Sequence, residues 1–135
     1  MSSELGNDPR IIPLDGRPFL SEKIRNWTGS SRGKWEDDTL VVETRYFTSK
    51  LATLFLRTDS YGSAENMILT ERFTRVGENA LDYEFTIDDP STFTDKITVK
   101  TNMSLLNAPI YEFACHEGNY ALENMLRAAR MTEQP

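Results

Sequence analysis

In the middle of the chain, hydrophobic positions alternate with polar ones, which is the pattern of half-buried β-strands. The stretches that show this alternation are 39–47, 67–76, 81–87 and 97–103, with 110–115 predicted as the last strand. Period two begins at Lys34, and Asp37-Asp38 is a predicted hairpin turn before the first of these stretches. Turn-forming residues also follow later stretches, at 77–79 and at Asp89-Pro90. The sequence therefore predicts five or six consecutive antiparallel strands joined mostly by short turns.

After residue 118 the period changes to that of a helix. Asn119 can cap it, and Leu122, Met125, Leu126 and Ala129 form one apolar stripe. The predicted fold class is mainly all-β: a small antiparallel meander β-barrel or a strongly curled sheet, lipocalin-like in outline, with a C-terminal helix. Closure into a barrel removes exposed strand edges, and the helix would close an end or a seam.

Two other segments lack the strand pattern. Residues 1–33 contain three prolines and four glycines, which predicts an extended N-terminal arm packed on the barrel. Within the arm, Ser21 can cap a short helix over residues 22–27. For residues 48–66 the sequence allows two alternatives, a short helix or a lid over the barrel mouth. The arm and the barrel with its helix, 34–135, together make one domain.

Composition and charge exclude several classes of function. The chain of 135 residues has one cysteine and one histidine, which excludes an internal disulfide, a thiolate zinc cluster and any metal site with two imidazoles. We expect no cofactor. The net charge of −6 and the absence of adjacent basic residues argue against nucleic acid or a membrane as partner. Because the first twenty residues contain no apolar stretch of signal-peptide length, we expect a cytoplasmic protein.

Glu71 is the first candidate for chemistry, because strand parity places it between apolar neighbours on one face. If that face lines the interior, burial favours the protonated form of the carboxylate, and a general acid or base can then work near neutral pH. The alternative is structural: a buried ion pair with Arg45, Arg72 or Arg75, or a carboxylate in water at the barrel mouth.

His116 is the second candidate, since histidine is the side chain whose ordinary pKa lies closest to neutral pH. It follows the last predicted strand, where Glu117 or Glu112 could orient it for proton transfer. The alternative is a hydrogen bond to a loop or a helix end. The adjacent Cys115 is expected to be a small core residue, not a nucleophile.

Aromatic residues occupy the predicted inward positions of four strands. They are Tyr46, Phe73, Tyr83, Phe85, Tyr111 and Phe113. Together with Trp35 they are the candidate substrate-binding residues, because an aromatic lining suits a mostly apolar ligand. The alternative is that these side chains fill the core.

Several motifs resemble those of a large group of uncharacterised bacterial proteins. Residues 31–44 are similar to its SRGRWEGDTLVVET stretch, 70–76 match TERFTRV, and 111–120 are similar to YEYACHEGNY. The resemblance covers nearly the whole chain and supports the domain limits, but it implies no activity. Ile68 stands where relatives tend to have histidine, and 94–97 replace their Thr-Arg-Pro-Trp. If those two lost side chains serve a shared activity, this member binds something else.

The leading functional hypothesis is a barrel that binds one small apolar or partly oxygenated molecule and acts on it. Without cofactor or metal, the chemistry would be that of an isomerase, cyclase or lyase such as a dehydratase. Glu71 would be the acid or base and His116 the second proton-transfer group, while Tyr46, Tyr83 and Tyr111 would position substrate oxygen atoms. The alternatives are a non-catalytic binding or carrier protein and a structural or protein-interaction domain. The oligomeric state stays open, and an uncovered sheet edge would favour a homodimer.

Overall fold

The computed structural model of the protein describes residues 1, 9–56, 59–111, 114 and 117–133. The elements in chain order are β1 (Ser30–Glu36), β2 (Thr39–Arg45), β3 (Leu54–Leu56), β4 (Asp59–Tyr61), a 3-10 turn (Ala64–Asn66), β5 (Ile68–Gly77), β6 (Ala80–Asp88), β7 (Ile97–Ser104) and α1 (Ala121–Thr132). Five of the strands form one antiparallel sheet in the order β1-β2-β5-β6-β7. The predicted mainly antiparallel sheet is confirmed.

The sheet is open, because its edge strands β1 and β7 do not pair with each other. The closed barrel and the lipocalin-like outline are therefore not confirmed. The predicted turns do join the strands: Glu36 pairs with Thr39 across Asp37-Asp38, and Gly77 pairs with Ala80 across residues 78–79. Such short turns fix the register of both hairpins.

The two faces of the sheet differ in chemistry. One row across the strands contains Val42, Glu71, Phe85 and Val99, and we call this side the apolar face. The opposite, polar face carries cross-strand pairs of polar side chains, which are partly exposed. Examples are Thr39 with Thr74 (2.8 Å), Glu36 with Arg72 (3.0 Å) and Glu84 with Lys100 (2.6 Å). An antiparallel sheet with one solvated face shows this division.

The hydrophobic core lies at one end of the apolar face. Its buried members are Phe47, Ala64, Met67 and Ile87. The described residues of 48–66 fold over this end as the β3–β4 hairpin and the 3-10 turn, and the amide of Ala64 donates to the carbonyl of Leu51 (2.8 Å). The segment that the sequence left undecided is therefore a hairpin that packs on the core.

The N-terminal arm wraps around the edge of β1. The amide of Gly33 donates to the carbonyl of Pro13 (2.9 Å), and the Arg32 guanidinium binds the carbonyls of Arg17 and Pro18. A Cβ on Gly33 would lie 2.4 Å from the Leu14 side chain, so glycine allows this close approach. Residues 22–27 contain turns and a β-bridge from Asn26 to Phe47 instead of the predicted helix, and β1 begins at Ser30, before the predicted boundary at 34.

The C-terminal part differs from the expected closing element. Helix α1 is present, and Asn119 Oδ1 accepts a hydrogen bond from the amide of Ala121 (3.1 Å), as its predicted capping role requires. Every described residue of α1 is exposed, so its apolar stripe closes no seam. Within the predicted strand 110–115, positions 110, 111 and 114 are not in a strand, and the other three lie outside the described residues. None of the described helices is long and apolar enough to span a membrane.

Candidate functional site

Glu71 lies at the centre of the apolar face, between Val42 of β2 and Phe85 of β6. Its side chain is only 5% exposed. The Tyr83 hydroxyl donates a hydrogen bond to Oε1 (2.9 Å), and Arg10 Nη2 lies 2.7 Å from Oε2. Glu71 therefore takes part in a buried ion pair, and its cation comes from the N-terminal arm.

The three arginines considered from the sequence have other partners. Arg45 pairs with Glu43 and Arg72 with Glu36, both on the polar face. The Arg75 guanidinium binds the carbonyls of residues 77 and 78 in the β5–β6 turn. The arginine partners named for the ion-pair alternative were therefore wrong.

Within the described part of the chain, one oxygen of the Glu71 carboxylate accepts no hydrogen bond. Arg10 approaches Oε2 closely, but not in hydrogen-bond geometry, and among the described residues Oε2 has no other donor. The positive charge of Arg10 compensates part of the cost of burying this oxygen. Because a carboxylate oxygen has two lone pairs, Oε2 can accept a hydrogen bond in addition to this contact.

Tyr83 is held as a hydrogen-bond donor by its surroundings. Burial, followed by the negative charge of Glu71, raises the pKa of the Tyr83 hydroxyl above its ordinary value. The phenol therefore keeps its proton over the physiological pH range. Its one O–H is used in the bond to Glu71, so the phenol oxygen can act toward a ligand only as an acceptor.

Aromatic side chains surround this pair. The Phe73 and Tyr83 rings stack with centroids 4.8 Å apart, and Tyr83 and Phe85 are 5.7 Å apart. Trp35 lies in the same row across the sheet as Phe73 and Tyr83, at the β1 end, and is 62% exposed. The structure thus brings five of the predicted site residues to one face: Glu71, Trp35, Phe73, Tyr83 and Phe85.

The other predicted site residues are not brought to this face. Tyr46 follows β2 with a φ of +63°, and its ring meets the edge of Phe19 at 6.0 Å. Phe19 in turn contacts the polar-face guanidinium of Arg45 (5.3 Å), so the parity that placed Tyr46 inward ends at this residue. Tyr111 is exposed and outside any strand. Phe113, Cys115 and His116 lie outside the described residues.

An open cleft continues the apolar face beyond the aromatic rings. It has a volume of about 520 Å³ and is lined by Leu81, Met103, Leu105 and Leu106, among others. Leu81 and Met103 are paired across β6 and β7, two positions from Tyr83 and Thr101. The amide of Leu105 donates to the carbonyl of Asn79 (2.9 Å), which extends the β6–β7 ladder to the cleft.

Sequence reasoning missed this cleft and missed Arg10. The signal for the cleft was the pair of leucines directly after the last alternating residues of β7, which has no explanation in a polar loop. No comparable signal marked Arg10, because its contact with Glu71 joins distant parts of the chain.

In the described part of the chain, no three acidic, histidine or cysteine side chains cluster as metal ligands. Comparisons with protein-family models, curated proteins and solved structures found no match.

Proposed function

We propose that the protein binds a small, mostly apolar molecule carrying one oxygen-bearing group, along the open part of the apolar face. The observation that carries this proposal is the buried Glu71 carboxylate, paired with Arg10 and with no hydrogen bond to Oε2 among the described residues, next to an aromatic stack. A ligand would lay its apolar part against Leu81 and Met103. Its polar group would lie toward Tyr83 and Glu71.

The dimensions of the cleft agree with a ligand of modest size. Its volume of about 520 Å³ lies within the range of about 300–1,000 Å³ that is usual for small-molecule sites. Residues two apart on a strand are roughly 7 Å apart, so a molecule of about that length spans from Leu81 to Tyr83. Removing its apolar surface from water would contribute about 25 cal/mol per Å².

Proton transfer on the bound molecule is a second candidate function, which the Arg10–Glu71–Tyr83 arrangement favours. Glu71 would be the proton acceptor, and the Arg10 guanidinium, which has several N–H donors, lies beside it to hold a substrate oxygen. In an isomerase of this type, Glu71 takes a proton from a carbon beside a carbonyl and returns it to another carbon. No net change in atoms or electrons occurs, and His116 would be the second proton-transfer group.

A more enclosed, lipocalin-like site would need an additional element over the cleft. We assign this role to α1, because its apolar stripe, which includes Leu122 and Leu126, is exposed. Replacing Leu122 by Asp would then weaken ligand binding. The control is Met131→Asp on the opposite side of the helix, which would leave binding unchanged. Equal effects of the two substitutions would contradict this role.

Binding is tested by titration with 8-anilinonaphthalene-1-sulfonate, an aromatic probe with one anionic group. We expect a saturable fluorescence rise, and a several-fold weaker affinity in Leu81→Ser. Leu20→Ser is the matched control, because Leu20 is an exposed leucine of the arm that does not line the cleft. Equal affinities in the two variants would argue against this cleft, provided that both still unfold cooperatively.

Proton transfer is tested by incubating the protein in D2O with a panel of small cyclic ketones and measuring deuterium uptake by mass spectrometry. We expect exchange that Glu71→Gln abolishes while probe binding persists. Glu84→Gln on the polar face is the matched control and should exchange like the wild type. Full exchange in Glu71→Gln would contradict the role of Glu71 as the base. If no ketone exchanged, the proton-transfer proposal would be wrong and only the binding proposal would remain.

A further inference from the structure

We propose that the protein forms a two-fold symmetric dimer in which β7 pairs antiparallel with β7 of a second copy, centred on Thr101. The outer edge of β7 is the basis for this proposal. Among the described residues, no strand lies beyond β7, and every residue from Thr98 to Ser104 is exposed. Such an edge presents unpaired backbone donors and acceptors to another chain.

The ladder between β6 and β7 shows which groups of β7 point outward. The Leu105 amide donates to Asn79, so residue 105 faces β6, and the other odd-numbered residues of β7 do the same. The amides and carbonyls of residues 98, 100, 102 and 104 therefore point away from the sheet. A second strand can bond only to these residues, which restricts the registers available to it.

Two centres of symmetry give the longest overlap of two β7 strands, Lys100 and Thr101. Centring on Lys100 would place two ammonium groups directly opposite each other, which is destabilising. Centring on Thr101 places Thr101 opposite itself and Lys100 opposite Asn102. The apolar side chains then also match, because Val99 of one copy lies opposite Met103 of the other. Self-complementarity of β7 thus selects the Thr101 register.

The charge and the position of β7 also favour a second copy as the partner. Lys100 is the only charged residue of the strand, and Glu84 already pairs with it at 2.6 Å. Val99 and Met103 extend the apolar face to the edge, so pairing would continue this face into the second copy. The opposite edge of the sheet is not available, because the arm bonds to Arg32 and Gly33 of β1.

Cysteine cross-linking tests the register. In a Cys115→Ser background, Thr101→Cys places two thiols at a non-hydrogen-bonded pair, with Cα atoms about 4.5 Å apart, which suits a disulfide. We expect a covalent dimer on mild oxidation. Lys100→Cys is the control, because its two cysteines would be offset by two positions and beyond disulfide reach. Cross-linking of Lys100→Cys but not of Thr101→Cys would overturn the register, and cross-linking of neither would overturn the dimer.

A second variant tests the dimer without cysteines. Lys100→Pro removes an outward-pointing amide and leaves the bonds to β6 in place. We expect the sedimentation coefficient of the wild type to rise with protein concentration, and that of Lys100→Pro to stay at the monomer value. The far-ultraviolet circular dichroism of the two proteins should agree. A wild type that sediments as a monomer at all concentrations, or a variant that still dimerises, would overturn the proposal.

Discussion

The two ends of the apolar face are formed by the same strands but differ in burial. At one end, which we call the covered end, Phe47, Met67 and Ile87 are buried under residues 48–66. At the other, the open end, Leu81 and Met103 remain 38% and 42% exposed. Ile87 and Leu81 even lie on the same strand and face, so the alternating pattern alone does not decide which becomes core.

The connections between strands explain the difference. The two long connections, 46–67 and 89–96, both leave the sheet at the covered end and supply the chain that folds over it. The two-residue turns at 37–38 and 78–79 both lie at the open end, and the chain that follows β7 from this end is exposed at every described residue. Burial in this sheet therefore follows the position of its loops, and the open end is the part free to bind something else.

The strongest test of this comparison replaces Ile87 by Ala. Ile87 is only 4% exposed, so we expect the free energy of unfolding to fall by about 2–5 kcal/mol, from lost burial and the cavity left behind. Leu81→Ala on the same strand and face is the control and should lose about 1 kcal/mol or less. Urea denaturation measures both. Equal losses would show that the open end is as tightly packed as the covered end.

A smaller effect is expected at Gly62, which leads from β4 back to the core. Its φ is +66°, and an added Cβ would lie 2.0 Å from Thr92 Oγ1, which donates a hydrogen bond to Asp89. Gly62→Ala should therefore destabilise the protein by about 2–4 kcal/mol, from backbone strain and overpacking.

Gly16 provides the matched control for Gly62. It also has a positive φ, of +73°, but an added Cβ would meet nothing within 4 Å. Gly16→Ala should lower the free energy of unfolding only by the cost of backbone strain, about 1–2 kcal/mol. Similar losses at the two glycines in thermal unfolding would mean that the contact with Thr92 does not constrain the covered end.

Asp89 joins the connection after β6 to the covered end and makes its stability depend on pH. Its carboxylate accepts hydrogen bonds from Thr53 (2.6 Å) and from the Ser91 amide (3.1 Å). Burial acts to raise the pKa of Asp89, but hydrogen bonds from Ser91, Thr53 and Thr92 outweigh it and hold the pKa below the ordinary 3.8. A depressed carboxylate pKa stabilises the fold above the unfolded pKa, and this stabilisation is lost as pH falls through the folded pKa.

Asp89→Asn should therefore lower the free energy of unfolding by about 1–3 kcal/mol at pH 7, since a buried hydrogen-bond network is broken. The difference from the wild type should shrink as the pH falls from the ordinary aspartate pKa through the lower pKa of folded Asp89, where the wild type also loses the carboxylate. Urea denaturation at pH 7 and at pH 3 measures this change. Asp38→Asn, at an exposed turn, is the control at pH 7 and should stay within about 0.5 kcal/mol. If the difference in free energy of unfolding between Asp89→Asn and the wild type were larger at pH 3 than at pH 7, the stabilising role of the Asp89 carboxylate would be contradicted.

Local pattern was enough to predict much of the sheet but not its closure. Alternation predicted β2, β5, β6, β7 and the two short turns, because side-chain parity is a property of each strand alone. Closure depends on the number and stagger of strands across the whole sheet, which no single segment encodes. The helix predicted at 22–27 failed because so short a helix has little intrinsic stability.

The same distinction applies to the candidate site. Parity placed Glu71, Phe73, Tyr83 and Phe85 correctly on one face, because β5 and β6 are regular there. It failed at Tyr46, where a positive φ that tyrosine rarely adopts ends the alternation of β2. Arg10 could not be assigned, because an ion pair between the arm and β5 is a long-range contact.

The smallest expected effect is at Met103, which has a buried counterpart in Met67. Met67→Thr at the covered end should lose several kcal/mol, because it puts a hydroxyl where a side chain only 6% exposed now packs. Met103→Thr should change the free energy of unfolding by about 0.5 kcal/mol or less, since threonine suits a strand and little burial is lost. Urea denaturation at low protein concentration keeps any association of β7 edges out of the measurement. A loss at Met103 close to that at Met67 would mean that the open end is covered in solution, because only a buried methionine can lose that much.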